Sequence, residues 1–592
     1  MNIQDRLKAI RACMKEEGID AYIIPSSDPH NSEYVSPRWQ SREWISGFTG
    51  SAGTVVVLNS LAGLWADGRY HIQAAAEIAG TGIDLFKMGL PNVPSIEEWL
   101  SETLDENAVV GFDGDVVTSA SAENMKESFS AKGLTLKTDC DLIERIWQDR
   151  PATPKDLVFE HDVKFAGKSR QQKLNEVREE MKRLKADSYI LSSLDDIAWL
   201  YNLRGKDVSH CVLFLSFSLI LKDKTYLCVD PDKVPSALKS VLEEDGIILK
   251  DYQEIYELVK NIDASSTVLY DPKVLNYNLE SSIPDTCRKI KKTNLTTHAK
   301  AVKNKIELEN YKNCFERDGK YMVQFIKWLN DNVGKIKITE LSASDYLESL
   351  RASDDKFHGL SFTTIPGYKG HGAMMHYRAT EESDVELEEE SFFLVDSGGL
   401  YTDGTTDITR TFAFGTLTEE ERKDYTLTLM GHIDLSLAVF LHGTRGIQLD
   451  VLARQHLWKQ SINYGCGTGH GVGFFLNVHE GPHNISPGFI DEKLIPGMVV
   501  TNEPGVYREG KHGVRIENIM EVVEHSESEF GKFYSFEPMT LCPIDTKPLL
   551  LELMSQTQIE WLNSYHGLVY KKLAPHLDEA HSRFLQDLTK PV

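Results

Sequence analysis

The chain has 592 residues, 41% hydrophobic and 26% charged, ordinary proportions for a folded soluble protein but too long a polymer for one core, so three or four domains are expected. With 64 Lys and Arg against 89 Asp and Glu the net charge is −25, which excludes nucleic acid and anionic membrane as main partners because both would be repelled. The 8 cysteines form no CxxC pair, which excludes a disulfide framework or zinc knuckle and fits a reducing cytoplasm.

The opening stretch, MNIQDRLKAIRACMKEEG, is charged throughout and lacks the apolar core of a secretory signal. The longest apolar run, Cys211 to Leu221, falls short of the roughly 20 residues needed to cross a bilayer. No membrane partner is expected, and the chain reads as cytoplasmic.

Along the chain, a charged helix precedes the buried strand AYIIP (Ala21 to Pro25). TVVVL and GLWAD then read as a hairpin and YHIQAAAEI as a helix. After the linker QDRPATPKD (Gln148 to Asp156) the order recurs: helix RQQKLNEVREEMKRLKAD, strand SYILSS, helical turn DDIAWLYNLRG, hairpin VLFLSFSLILKDKTYLCV. Two α/β units in tandem, residues 1–150 and 157–305, are expected. A long amphipathic helix from His298 to Asn332 opens a third region, 306–530. The tail, 531–592, places Ile559, Leu562, Val569 and Leu573 on one helical face, as in a docking helix.

The chemistry is concentrated in the third region. FFLVDSGG ends an apolar strand at Asp396, and GMVVTNEPG ends another at Glu503. A second acid follows each, Asp407 in TTDITRTF and Glu517 in GVRIENI, at the spacing of a strand, a turn and a return strand. Four converging carboxylates cannot all stay ionised without cations, and two divalent metals would neutralise them. Between the pairs lies CGTGHGVGFFLNVHEGPH (Cys466 to His483), too rich in glycine to build a core. His470 within it is the candidate nitrogen ligand. One imidazole with four carboxylates is a hard donor set that favours Mn²⁺, with Zn²⁺, Co²⁺ or Fe²⁺ also able to bind. A dinucleotide fingerprint fails on spacing: five positions after Gly465, Gly467 and Gly469 stand His470, Val472 and Phe474.

The series Asp396, Asp407, His470, Glu503, Glu517 resembles the metal ligands of the pita-bread metallopeptidases, which include methionine aminopeptidase, prolidase and aminopeptidase P. FTGSAG…DGRY (Phe48 to Tyr70) and the duplicated α/β units resemble creatinase-type N-terminal domains. Taken over the whole chain, the arrangement resembles the three-domain cytosolic Xaa-Pro aminopeptidases. The implied fold is α/β: two creatinase-type domains, an α+β pita-bread catalytic domain and a C-terminal helical extension. The implied function is removal of an N-terminal residue from peptides with proline second, by a hydroxide bridging two metals. Glu503 matches the family's general base. His376 in GAMMHY and His479 in NVHEG match histidines that contact substrate beside the scissile bond and stabilise the oxyanion or carry a proton. Arg515 matches an arginine that steadies the ligand carboxylates. Arg69 in DGRY resembles a peptide-binding arginine that reaches a neighbouring subunit's site. A homodimer is implied, with His456 to Tyr464 around Trp458 as the candidate contact.

The chain departs from the pattern at Cys466, where many members have histidine; a cysteine there is a small apolar filler and leaves a proton-shuttle role in doubt. His371, His483 and His512 match no family position and read as surface or supporting residues. The acidic run Glu381 to Glu390 reads as a solvated loop. Two rivals stand beside the main reading. A prolidase would cut only Xaa-Pro dipeptides, against which the doubled N-terminal unit argues. A non-catalytic binding protein on the same fold would lack ligands that this chain keeps.

Overall fold

The computed structural model describes every residue from Met1 to Val592. The chain forms two compact units, one of residues Met1–Asp162 and Lys168–Thr296, the other of Val163–Gly167 and Thr297–Val592.

The first unit contains two six-stranded sheets. In its first half, α1 (Ile3–Glu17) is capped by Asn2, whose side chain accepts from Asp5 N, and stops at Gly18 in the left-handed region with φ 67°. The strands are β1 (Ala21–Pro25), β2 (Thr54–Leu58), β3 (Ala62–Ala66), β4 (Asp84–Lys87), β5 (Val109–Gly111) and β6 (Thr135–Lys137). Their order is β4-β3-β2-β1-β5-β6. In the second half, α2 (Arg170–Leu184) carries a Ser169–Gln172 capping box. It leads to β7 (Ser188–Leu191), β8 (Phe217–Leu221), β9 (Thr225–Cys228), β10 (Ile247–Lys250), β11 (Thr267–Tyr270) and β12 (Arg288–Lys291). Their order, β10-β9-β8-β7-β11-β12, repeats the first sheet strand for strand. Each half therefore surrounds one antiparallel hairpin and its neighbour with parallel crossovers, as the recurrent sequence pattern implies.

The second hairpin starts later than its apolar run suggests. Residues 212–216 are buried but irregular, because their backbone pairs with a loop: Gly205 N donates to Val212 O at 3.1 Å and Leu215 N to Asp207 Oδ2 at 2.7 Å.

The long helix of the third region is also interrupted. A short helix (Leu295–Ala301) ends before α3 (Lys305–Asn332) begins. Between them Val302 forms a bridge with Met498, and Asn304 accepts from the backbone of Ile306 and Glu307 while the Glu307 carboxylate accepts from Asn304 N. A capping box in mid-pattern restarts the helix. Helix α4 (Glu340–Ala352) follows, capped by Thr339.

The second unit then repeats a strand–hairpin–strand pattern. β13 (Ile365–Tyr368), β14 (Phe392–Ser397) and β17 (Ile408–Ala413) form one antiparallel sheet, with the short strands β15 (Gly399–Tyr401) and β16 (Gly404–Thr405) as a hairpin between the last two. Helices α5 (Glu419–Ser436) and α6 (Gly446–Trp458) flank the edge strand β18 (Val439–Leu441). β19 (Gly469–Gly471), β20 (Glu480–Ile485) and β21 (Val499–Asn502) come next. A hairpin, β22 (Gly505–Arg508) and β23 (His512–Arg515), precedes β24 (Asn518–Ser528) and β25 (Gly531–Pro538). The large sheet runs β18-β25-β24-β21-β19-β20. Helix α7 (Gln556–Leu573) buries Leu562, Val569 and Leu573 against Tyr425, Leu429 and Ile433 of α5, with Ile559 partly covered. No helix is long and apolar enough to cross a membrane.

Candidate metal centre

The glycine-rich segment is dictated by how closely backbones approach there. A side chain at Gly469 would collide with Thr501 O, and a Cβ on Gly471 would lie 2.5 Å from His483 Cε1. Only glycine lets β19 fit between β20 and β21. This narrow strand fixes His470: its backbone N donates to Thr501 Oγ1 at 3.0 Å, and its Nδ1 lies 2.9 Å from Gly471 O. A carbonyl at Nδ1 demands a proton there, which leaves Nε2 as a lone-pair donor. Nε2 lies 3.5 Å from Asp407 Oδ2 and 3.6 Å from Glu503 Oε1.

The four acids arrive in two matching ways. Asp396 lies in β14 opposite Thr409, and Asp407 directly precedes β17. Glu503 directly follows β21 and Glu517 directly precedes β24, with Asn502 opposite Asn518. In each case a hairpin separates two acids that adjacent strands hold at one sheet end. Donor atoms of Asp407, His470 and Glu517 all fall within 4.8 Å of one another. Asp396 joins them through a chain of hydrogen bonds: Arg515 Nη2 donates to Asp396 Oδ2 at 2.6 Å and Arg515 Nε to Thr409 Oγ1 at 3.1 Å, while Thr409 Oγ1 donates to Glu517 Oε2 at 2.8 Å. Arg515 Nη1 donates to Tyr507 OH at 2.7 Å.

These residues fit a pair of cations. Asp396 Oδ1 is buried with no partner, a costly arrangement for a carboxylate oxygen unless a positive charge meets it. Burial, with Asp407 and Glu503 opposing Arg515, pushes the Asp396 carboxyl up to about 7. Burial likewise raises Glu503, and burial with the charges of Asp407, Asp396 and Glu503 raises Glu517 well above the carboxylate range. Burial works against charge on His470, yet the adjacent Asp407 carboxylate and the Glu503 charge bring it to about 9; a positive charge is favoured between them, and a cation at Nε2 would supply it in place of a proton. A separation of 3.5 to 3.6 Å between His470 Nε2 and the carboxylates is too long for a good hydrogen bond and close to that of two donors sharing one cation. Oxygen-rich with one imidazole, the set suits a hard divalent metal.

The other candidates fall at different places. His479 meets His470 edge to face, ring centroids 4.3 Å apart. His376 is half-buried in the turn that ends the 3₁₀ segment Lys369–Ala373, and Arg515 Nη2 reaches the preceding carbonyl, Met375 O, at 3.4 Å. Arg69, in the first unit, is held by its own neighbour Asp67 through bonds of 2.9 and 2.7 Å. Burial pushes the Cys466 thiol up to about 11, helped by the Glu503 charge, so it stays protonated and packs as a partly buried apolar group. Trp458 is 49% exposed, whereas Leu457 and Tyr464 are buried in their own unit.

Of the remaining histidines, read as surface or supporting residues, two are buried and not at the surface. His483 is buried with Nε2 at 2.8 Å from Val499 O, and His512 is buried with Nε2 at 2.9 Å from Asp424 Oδ2. His371 is half-buried on Glu340 at 3.0 Å. Thr409, Tyr507 and Glu340 carried no motif signal; a threonine in a strand and an acid in a helix's first turn are commonplace.

Fold and site together define a metallopeptidase. Residues 309–524 match the model of metallopeptidase family M24, residues 6–146 and 149–307 each match the creatinase/prolidase N-terminal domain, and 532–592 match the C-terminal region of peptidase M24. A probable Xaa-Pro aminopeptidase P of Aspergillus flavus is 39% identical over 612 aligned residues, covering 100% of this chain and 93% of that protein; its Talaromyces marneffei counterpart is 38% identical over the same shares. The crystal structure of X-prolyl aminopeptidase from Caenorhabditis elegans, described as a cytosolic enzyme with a di-nuclear active site, superposes with TM-score 0.97 at 32% identity, covering 100% of both chains. The fold alone is shared with the Xaa-Pro dipeptidase of Bacillus anthracis, TM-score 0.51 at 22% identity over 64% of this chain. The chain belongs to the Xaa-Pro aminopeptidase P family.

Proposed function

We propose that this protein is a dimetal aminopeptidase that hydrolyses the first peptide bond of peptides with proline in second place. The observation that carries the proposal is a cluster of buried Asp396, Asp407 and Glu517 with half-buried His470 and Glu503, inside a chain that matches X-prolyl aminopeptidase over 100% of its length. We assign these five as metal ligands, with Mn²⁺ as the native pair and Zn²⁺ or Co²⁺ as substitutes. When bound, two such cations supply Lewis acidity, lowering the pKa of a water and orienting it for attack.

The protein's own groups do the rest. Glu503, directly after β21 and beside His470, takes the water's proton and delivers it to the leaving amine. His479, against His470, and His376 flank the scissile carbonyl and donate to the developing oxyanion. Arg515 holds Asp396 directly and Glu517 through Thr409, so the carboxylates keep their orientation through the cycle. Arg69 binds peptide in a neighbouring subunit, and Trp458 lies in a homodimer contact; the setting is the cytoplasm. The working divisions are 1–150, 157–305, the catalytic domain 306–530 and the extension 531–592.

The test is turnover of Arg-Pro-Pro, Arg-Ala-Ala and the dipeptide Arg-Pro by the Mn²⁺-loaded protein. Cleavage of Arg-Pro-Pro alone is expected. Equal cleavage of Arg-Ala-Ala ends the proline assignment, and cleavage of Arg-Pro alone makes the enzyme a prolidase. A monomer at micromolar concentration in sedimentation removes the dimer.

A further inference from the structure

His376 lies in the stretch Tyr368 to Tyr377, and one buried carboxylate grips that stretch at three points. Glu340, at the first position of α4, is 0% exposed. It accepts from Tyr368 N at 2.8 Å, from His371 Nδ1 at 3.0 Å and from Tyr377 OH at 2.9 Å. His371 and Tyr377 also stack on each other, ring centroids 4.5 Å apart. A carboxylate at a helix start often serves the helix itself, but here Thr339 caps α4 by accepting from Ser342 N. All three groups that Glu340 holds belong to the segment around His376.

The opposite side of that segment is tied to the metal centre. Arg515 Nη2 reaches Met375 O at 3.4 Å while bonding Asp396 at 2.6 Å. Backbone meets backbone as well, since any side chain on Gly513 of β23 would collide with Gly372 O. Met375 and Tyr377, the two neighbours of His376, are thus clamped from different sides, by Arg515 and by Glu340.

We propose that Glu340 is a positioning residue of the active site, acting through Tyr377 and His371 to hold the His376 imidazole where it meets the substrate carbonyl. Burial without a lysine or arginine partner is expensive for a carboxylate; three donors converging from one functional segment offset that cost. The hydrogen bond to Glu340 pushes His371 up from its ordinary value, so the clamp carries a charge-assisted bond. This inference rests on the role assigned above to His376.

The experiment is a double-mutant cycle on the Mn²⁺-loaded full chain with Arg-Pro-Pro, alongside metal content and melting temperature. Glu340→Ala should lower kcat/KM about 100-fold, the size of effect that a displacement near 1 Å produces, with both metals retained. Glu340→Gln keeps the shape and should recover activity to within about fivefold, since neutral bonds replace charge-assisted ones. Tyr377→Phe removes a single hydroxyl and should cost about tenfold; it carries the test if Glu340→Ala fails to fold. In a His376→Ala background, Glu340→Ala or Tyr377→Phe should add less than about twofold, because the group they position is gone. Full additivity of the losses overturns the inference while leaving the function of His376 intact. Unchanged turnover by His376→Ala alone overturns the role of His376 and the inference together.

Discussion

Arg515 and Asp396 form a buried ion pair, Nη2 to Oδ2 at 2.6 Å, and the other oxygen of the same carboxylate has no partner within the protein. One oxygen is therefore fixed by the protein, and the other is open to the cation proposed above. Replacing Arg515 by lysine keeps a charge but loses the fork that reaches Asp396, Thr409 and Tyr507 together. Arg515→Lys should weaken Mn²⁺ binding about 10- to 100-fold, the usual cost of losing a group that orients a metal ligand. Titration calorimetry of the metal-free protein measures it; an unchanged isotherm would show that Asp396 is oriented by other means.

Glu503 directly follows its strand, with backbone N donating to Thr468 O at 2.7 Å and Thr501 Oγ1 lying 3.4 Å from its carboxylate. Few bonds restrain its side chain, which suits the proton transfer proposed for it. Glu503→Ala should lower kcat at least 100-fold, the general range for a lost acid–base group, with the melting temperature of the metal-free protein little changed. Turnover near the parent level excludes Glu503 as the base.

The acids at the centre were legible because each ends or begins an apolar strand, a pattern that survives in one dimension. Their supports were not. Thr409 reads as an ordinary strand residue until β14 pairs with β17 and turns it toward Glu517. Glu340 reads as a favourable first-turn acid, and its partners lie 28 to 37 residues away. Asp424 and His512 meet across a separation of 88 residues. Contacts of that kind are set by tertiary pairing, to which local periodicity is blind. The break before α3 was hidden for the opposite reason: a capping box at Asn304 and Glu307 lies inside an uninterrupted amphipathic pattern and looks like helix.

The glycines of the central loop are not equivalent, which gives a paired test. Gly469→Ala drives a methyl into Thr501 O in a strand that is paired on both sides, and overpacking of this kind costs about 3 kcal/mol or more. Gly465→Ala meets nothing within 4 Å and should leave stability within about 0.5 kcal/mol, as for most surface changes. Urea denaturation of the two variants distinguishes them, and equal midpoints would refute the close-approach explanation for the loop.

Away from the centre, Asp113 should set a pH dependence of the first unit. Burial, reinforced by the charges of Asp141 and Asp115, pushes its carboxyl up to about 7 despite Arg150 and the bond from Asp115 N at 2.9 Å. The folded value lies above the ordinary one of 3.8, so the protonated form is favoured by folding. Its contribution is complete below about pH 4 and is lost as pH rises through about 7. At about 1.4 kcal/mol per unit, the loss is at most about 4 kcal/mol. Asp113→Asn keeps an oxygen for Asp115 N and removes the charge. The variant should melt close to the parent at pH 4 and several degrees above it at pH 8, with tryptophan fluorescence following the transition. A parent and variant that track each other from pH 4 to pH 8 would mean that Asp113 is ionised in the folded protein at no cost.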